Sequence, residues 1–137
     1  MIKKIVIDGN DGTGKSIRVS LLKKYFPGIE IEDRGVFSEA TLKDELFGDD
    51  EISKQKRLEF ALAEVDNQPE TLFVICDASI EMCQKRILER GDSLDEEFHR
   101  ESDLKKYRER FLKLVDAAKN FQNIMLLNTD DYNSISI

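Results

Sequence analysis

The chain is poor in the residues that several kinds of chemistry require. It holds one histidine, His99, and two cysteines in 137 residues. No serine, cysteine or second histidine stands near His99 in a spacing that would make a hydrolytic dyad or triad, so His99 is read as non-catalytic. Cys76 lies in an apolar stretch and Cys83 on an expected helix, without metal-ligand spacing. Both are read as buried free thiols of a reducing compartment. No apolar run approaches the roughly 20 residues of a membrane span. The N-terminus, Met1-Ile2-Lys3-Lys4, leads directly into an apolar stretch and not into a signal peptide. The expectation is a cytoplasmic protein with no membrane partner. Positive charge is short as well: 21 Lys and Arg stand against 28 Asp and Glu, a net charge of −7, which opposes tight nonspecific binding of DNA or RNA. Internal repeats and low-complexity segments are absent.

What remains is 40% hydrophobic and 36% charged, the balance of a globular chain with a heavily charged surface. Its length suits a single domain over residues 1–137. Residues 2–7 read as a strand apolar on both faces after Lys4, and residues 15–26 follow a 3.6-residue period that Pro27-Gly28 ends. Residues 28–33 alternate apolar and acidic, the mark of a strand at a sheet edge. Ser38 is a candidate N-cap for a helix over residues 39–47 closed by Gly48, and Asp49-Asp50-Glu51 reads as an acidic turn. Ser53 is a candidate cap for the helix that ends before Gln68-Pro69. The fully apolar stretch Thr71 to Cys76 predicts a central strand, and Ser79 caps a helix stopped by Gly91. Residues 91–97 have no apolar periodicity and form a candidate mobile loop, a lid around residues 91–98. A long helix is expected over residues 98–121, followed by a last strand over residues 123–128. Strands alternating with helices imply an α/β fold with a small, mainly parallel central sheet of about four strands.

The strongest motif is at the end of the first strand. Gly9, Gly14, Lys15 and Ser16 meet the pattern G-x-x-x-x-G-K-[ST], with a buried strand before and an amphipathic helix after. Glycines let the backbone turn its N–H groups onto one anion at a helix N-terminus. The stretch Gly9-Asn10-Asp11-Gly12-Thr13-Gly14-Lys15-Ser16 is therefore read as a phosphate cradle. Lys15 would neutralise the β- and γ-phosphates of ATP, and the Ser16 hydroxyl would supply one oxygen to Mg²⁺. This implies the three-layer P-loop NTPase fold. Asp33-Arg34, just past the second strand, pairs a carboxylate for Mg²⁺ or an acceptor with a guanidinium able to hold a phosphate. Asp8 and Asp11 place two further carboxylates by the cradle, where a cation or a sugar hydroxyl would justify them. Arg86 and Arg90 share a helix face before the lid, placed to swing over the phosphates or to serve the ion-pair surface of that helix with Glu81, Lys85 and Glu89.

These residues resemble a known family. Asp8 to Ser16 resembles the thymidylate kinase loop, E-G-x-D-G-x-G-K-S, with Asp11 the distinctive match. Asp33-Arg34-Gly35-Val36-Phe37-Ser38 resembles its D-R-Y-x-x-S segment, with Gly35 in place of the aromatic. Residues 74–79, then Arg86 and Arg90-Gly91, are similar to its strand, helix and R-x-x-x-R-G entry to the lid. The resemblance implies a shortened deoxynucleotide kinase that moves the γ-phosphoryl of ATP to a deoxynucleoside monophosphate. It gives Lys15 and Ser16 the donor ATP and Mg²⁺, Asp33 the metal or acceptor, Arg34 the acceptor phosphate, Asp11 the acceptor sugar, and Arg86 and Arg90 the lid. Two departures stand out: Ile17 replaces the usual Thr, and the family's second strand and R-E-P segment are missing between the first helix and Glu32-Asp33.

That loss accounts for the wet edge strand and removes part of the acceptor pocket. The related deoxynucleoside kinases, with E-G-N-x-G-x-G-K-S and [E/D]-R-S, match Asn10 and Glu32-Asp33-Arg34, so a nucleoside acceptor is an alternative. A polynucleotide 5′-hydroxyl is another, opposed by the net charge. A homodimer could rebuild the pocket wall. A reading of another class is a non-catalytic ATP-binding module that regulates a partner. A GTPase is disfavoured because Asn128-Thr129-Asp130-Asp131 lacks the lysine of N-K-x-D.

Overall fold

The computed structural model describes residues 1–42 and 50–130. The expected end of the second helix at residues 47–48, the acidic residue Asp49 and the tail after Asp130 lie outside them. Four strands form one parallel sheet in the order β2-β1-β3-β4: β1 (Lys4–Gly9), β2 (Glu30–Asp33), β3 (Thr71–Asp77) and β4 (Ile124–Asn128). The chain leaves β1 for β2 on one side and returns for β3 on the other. The loop after β1 therefore opens where the strand order reverses, the usual ligand crevice of such sheets.

The α/β reading and the four-strand parallel sheet hold. Within β1, Val6 faces one side while Ile5 and Ile7 face the other, as the period-2 pleat requires. Val6 joins Phe37, Ala61, Val65, Phe73, Ile75, Phe111 and Leu114 in one core beneath helices α2 (Val36–Leu42), α3 (Glu51–Asn67) and α5 (Glu101–Ala117). Ile5 and Ile7 meet Val74, Cys76, Val19 and Leu22 under helix α1 (Lys15–Tyr25) on the opposite face. Burial of a side chain such as Ile7 or Ile75, both 0% exposed, contributes about 1.5–3 kcal/mol. Cys83 and Ile87 of helix α4 (Ile80–Glu89) pack with Ala78 and Leu104. The result is a helix–sheet–helix sandwich.

β2 lies at the edge, as its alternation of apolar and acidic residues predicts, and β1 and β3 are central. Ser79 caps α4 through its Oγ, which accepts from Met82 N at 3.2 Å. Several boundaries differ from the sequence expectation, the end of the last helix among them, at Ala117 and not at residue 121. β1 starts at Lys4 and runs on through Gly9, because its partners β2 and β3 are in register with it from Glu30 and Thr71. Ser38 is inside α2 and is not its cap; Asp8 supplies that role from β1. The first turn of α3 is capped by Asp50, whose Oδ1 accepts from Ser53 N at 2.9 Å, so Ser53 is the capped residue and not the cap. α5 begins only at Glu101, since Phe98 has φ 69° and cannot continue a right-handed helix.

Candidate active site

The loop between β1 and α1 is shaped by backbone freedom at its glycines. Gly12 has φ 79°, and a Cβ there would lie 2.6 Å from the carbonyl oxygen of Cys83. Gly14, also at φ 79°, is the N-cap of α1, which has no side-chain cap and no acidic residue in its first turn. α3 and α4, by contrast, are capped by Asp50 and Ser79. The first N–H groups and positive dipole end of α1 are thus left for an anion. A Cβ on Gly14 would fall 2.6 Å from an Arg18 guanidinium nitrogen and 3.5 Å from one of Arg86. A side chain at position 14 would fill the place where these cations converge.

Lys15 spans this loop. It is 7% exposed, and its Nζ donates to the carbonyl oxygen of Asn10 at 3.3 Å. Thr13 Oγ1 donates to the same oxygen at 2.7 Å, and Asn10 Nδ2 donates to Leu104 O at 2.8 Å. The loop is also tied from outside. The Thr129 hydroxyl, just past β4, donates to Thr13 O at 2.6 Å. Arg86 donates to Gly12 O at 3.3 Å, to Thr129 Oγ1 at 3.0 Å and to Thr129 O. Arg86 is therefore built into the wall of the cradle.

A cleft of about 580 Å³ opens over the loop. Lys15, Arg18, Arg34, Arg86 and Arg90 line it, against Asp11, Asp33 and Glu89. Burial lowers the Lys15 ammonium pKa, and the nearby charge of Arg34 adds to this while Asp11 and Asp33 oppose it. Burial likewise lowers that of Arg18, with the charge of Arg86 adding to it. Cations held together under such strain gain most from a bound polyanion. Ser16, Asp33 and Arg34 are exposed at the cleft mouth. The set fits a nucleoside triphosphate: an uncapped helix end, a buried lysine and converging guanidinium groups. Ser16 and Asp33 would give a Mg²⁺ two oxygens, the rest coming from phosphates and water.

Asp11 has both of its carboxylate oxygens engaged. Arg90 donates to Oδ1 at 3.0 Å and to Oδ2 at 2.8 Å, and His99 Nε2 lies 2.5 Å from Oδ2. Burial would raise the Asp11 pKa, but the hydrogen bonds and charge of Arg90, with the charges of Lys15 and His99, outweigh it and hold the carboxyl below its usual range. Asp8 serves α2 instead. Its Oδ1 accepts from Gly35 N at 2.6 Å, from Ser38 N at 3.1 Å and from Ser38 Oγ at 2.5 Å.

Three residues of this arrangement were given no place in the site by the sequence: Arg18, Thr129 and His99, the last read as non-catalytic. Arg18 stands four residues after Gly14, so the helical repeat folds its side chain back over the loop; that signal was legible. His99 meets Asp11 and Arg90 only in space, and Thr129 meets the loop only through the order of the sheet.

No protein-family model matches the chain, and no curated protein does. Among solved structures it is similar to deoxyadenosine kinase from M. mycoides with bound dCTP, with a TM-score of 0.54 and 13% identity over 92% of this chain and 90% of that one. At that identity the likeness shows the fold alone: an α/β architecture around a four-strand parallel sheet.

Proposed function

We propose that the protein is an ATP-dependent phosphotransferase that moves the γ-phosphoryl group of ATP to a deoxynucleoside or its 5′-monophosphate. The observation that carries this reading is the uncapped N-terminus of α1, with Lys15 buried across the loop and four arginines lining the same cleft. Lys15 and the loop N–H groups would hold the terminal phosphates. Bound Mg²⁺ supplies charge neutralisation of those phosphates, with Ser16 and Asp33 as its protein oxygens. The acceptor oxygen bonds to the γ-phosphorus: with a nucleoside this is the 5′-hydroxyl oxygen, whose proton Asp33 takes, and with a monophosphate it is a phosphate oxygen, which has no such proton to lose. The bond to the β–γ bridging oxygen breaks, and ADP leaves. Arg34 orients the acceptor, and Arg90 and Arg18 add charge around the transferring group. The kinase fold of the structural neighbour supports the assignment, and that protein's nucleoside substrate agrees with the acceptor class.

The test is radiolabelled ATP with a panel of deoxynucleosides, their monophosphates and a 5′-hydroxyl oligonucleotide. Label should pass to a nucleoside or a monophosphate, and Lys15→Ala and Asp33→Asn should each abolish it. A second reading, a nucleotide-binding module without catalysis, is favoured by the commitment of Asp11 and Arg90 to each other. Saturable ATP binding by calorimetry with no transfer to any acceptor would establish that reading.

A further inference from the structure

The phosphate loop uses part of its binding capacity on itself. Successive N–H groups are bonded within it: Asp11 N donates to Asn10 Oδ1 at 3.2 Å, Gly12 N to Asp11 Oδ1 at 3.1 Å, and Thr13 N to Asn10 O at 3.4 Å. The middle contact differs in kind, because the oxygen that meets Gly12 N belongs to a carboxylate. An N–H group turned into such a loop is suited to an anion, and this one already has an anion as its partner.

The same carboxylate holds a cation of the cleft. Asp11 Oδ1 and Oδ2 accept from Arg90 at 3.0 and 2.8 Å, and His99 Nε2 lies 2.5 Å from Oδ2. The imidazole is itself fixed, with Nδ1 2.9 Å from Ser93 O. Lys15 is held differently. Its Nζ donates to the carbonyl oxygen of Asn10 at 3.3 Å, a dipole that leaves the ammonium charge standing. Arg90 lines the same cleft but faces a full negative charge that cancels its own.

Carboxylate and phosphate oxygens compete for such groups, since both take a guanidinium through two parallel hydrogen bonds. Phosphate oxygens therefore gain Arg90 and the Gly12 N–H only if the Asp11 contacts open. The apparent affinity for the phosphates is lowered by the free energy of that opening.

We propose that the Asp11 carboxylate is an autoinhibitory anion built into the loop, a stand-in for phosphate that holds Arg90 and the Gly12 N–H until the linked phosphates of a nucleotide displace it. The proposal rests on the phosphate-binding part of the reading above and adds its regulation. It gives Asp11 a role other than contact with an acceptor sugar. It also reconciles the Asp11–Arg90 pair with a cleft that binds nucleotide, because the pair is then what the nucleotide opens.

The experiment is calorimetric titration with sodium tripolyphosphate, which has linked phosphates and no base. It is run on the full chain, on Asp11→Asn, on Arg90→Met and on the double variant. Asp11→Asn keeps an oxygen for Gly12 N and loses the charge that holds Arg90, so affinity should rise about fivefold or more. Removing any acid near a phosphate contributes to such a rise, and Arg90→Met isolates that contribution. Without Arg90 there is no pair to open, and the gain from Asp11→Asn should be smaller by a factor of about three to five. Circular dichroism checks the fold of each variant, and Asp11→Ala replaces Asp11→Asn, with the same expectations, if the latter does not fold. Equal gains with and without Arg90 would show that the pair survives binding. No gain in Asp11→Asn would show that the carboxylate withholds nothing. Either result overturns the proposal, and so does the absence of tripolyphosphate binding in all four proteins, which removes the cradle as well. The kinase reading fails separately: tripolyphosphate binds with the difference between backgrounds intact, and label passes from ATP to no acceptor.

Discussion

Arg90 closes on both carboxylate oxygens of Asp11, at 3.0 and 2.8 Å, and so ties the end of α4 to the phosphate loop. Arg90 also pairs with Asp92, inside the segment read as the lid. The pair joins two parts of the candidate site that the sequence leaves far apart.

Because Asp11 is held below the usual carboxyl range, mainly by Arg90 against the effect of burial, its contribution to stability has a definite sign. It is fully present above the unfolded value of about 3.9 and is lost as pH falls through the lower folded value. The side chain of Arg90 is 43% exposed, so solvent screening limits the pair to about 1 kcal/mol or less. Urea denaturation from pH 7 to pH 3 should show that Arg90→Met is less stable than the wild type near neutrality, the gap closing below about pH 4. A gap that stays constant across that range would show that the ion pair is not its source.

Asp8 is 0% exposed and has one oxygen, Oδ2, without a hydrogen-bond partner. Burial raises its carboxyl pKa, although the bonds from Ser38 and Gly35 oppose this. The folded chain therefore holds this proton more tightly than the unfolded one, and its contribution falls as pH rises from about 3.9 through the raised value. Asp8→Ala should cost about 3 kcal/mol, because the donors Gly35 N, Ser38 N and Ser38 Oγ are then left in a dry site. Asp8→Asn keeps an acceptor oxygen and removes the buried charge, so it should cost distinctly less and flatten the pH dependence. Equal losses in the two variants would contradict the capping role.

Gly35 stands where the resembling family has an aromatic residue. A Cβ at that position would lie 2.3 Å from Val6 Cγ1, closer than any packed side chain tolerates. Restoring the family pattern with Gly35→Tyr, or adding only a methyl with Gly35→Ala, should lower the melting temperature. For Gly35→Ala the expected cost is about 1–3 kcal/mol of overpacking. Combining Gly35→Ala with Val6→Ala should recover part of it, a coupling that a double-mutant cycle measures directly. Additive losses would place the strain elsewhere.

The two cysteines are the plainest case of a sequence reading that meets its partner in the structure. Cys76 and Cys83 are free and buried, and burial pushes both thiols up to about 11. Thiolate is the reactive form, so neither should react with a disulfide reagent at pH 8 until the chain unfolds. Labelling of native protein faster than its measured unfolding would show that one of them is reached by solvent.

The fold was legible because its signals are local. The apolar run of β3, the alternation of β2 and the glycine pattern after β1 each need only a few neighbouring residues to be read. The loop and Asp33-Arg34, which the structure brings to one cleft, were picked out for the same reason. Its closing contacts were not. His99 has no chemical neighbour in sequence, and only the turn at Phe98 brings it to Asp11. Ser38 and Ser53 have the composition of caps, but a carboxylate stands within reach of each and takes the position: Asp8 from another strand, and Asp50 three residues earlier. Caps supplied from across the sheet leave no trace in local pattern.

Arg86 separates two roles that sequence spacing cannot. As an arginine that swings over the phosphates, it would affect transfer and leave the unliganded fold alone. In the structure it donates to Gly12 O, Thr129 Oγ1 and Thr129 O, and Thr129 in turn donates to Thr13 O. These contacts fasten the loop to the end of β4 before any ligand arrives. Arg86→Met should therefore lower the melting temperature of the ligand-free protein, and Thr129→Val, which removes one hydroxyl at nearly constant volume, should do the same to a smaller degree. The two changes share one network, so their combined loss should fall short of the sum by about 0.5 kcal/mol or more. A ligand-free melting temperature unchanged in Arg86→Met, with transfer alone reduced, would return this arginine to the moving lid.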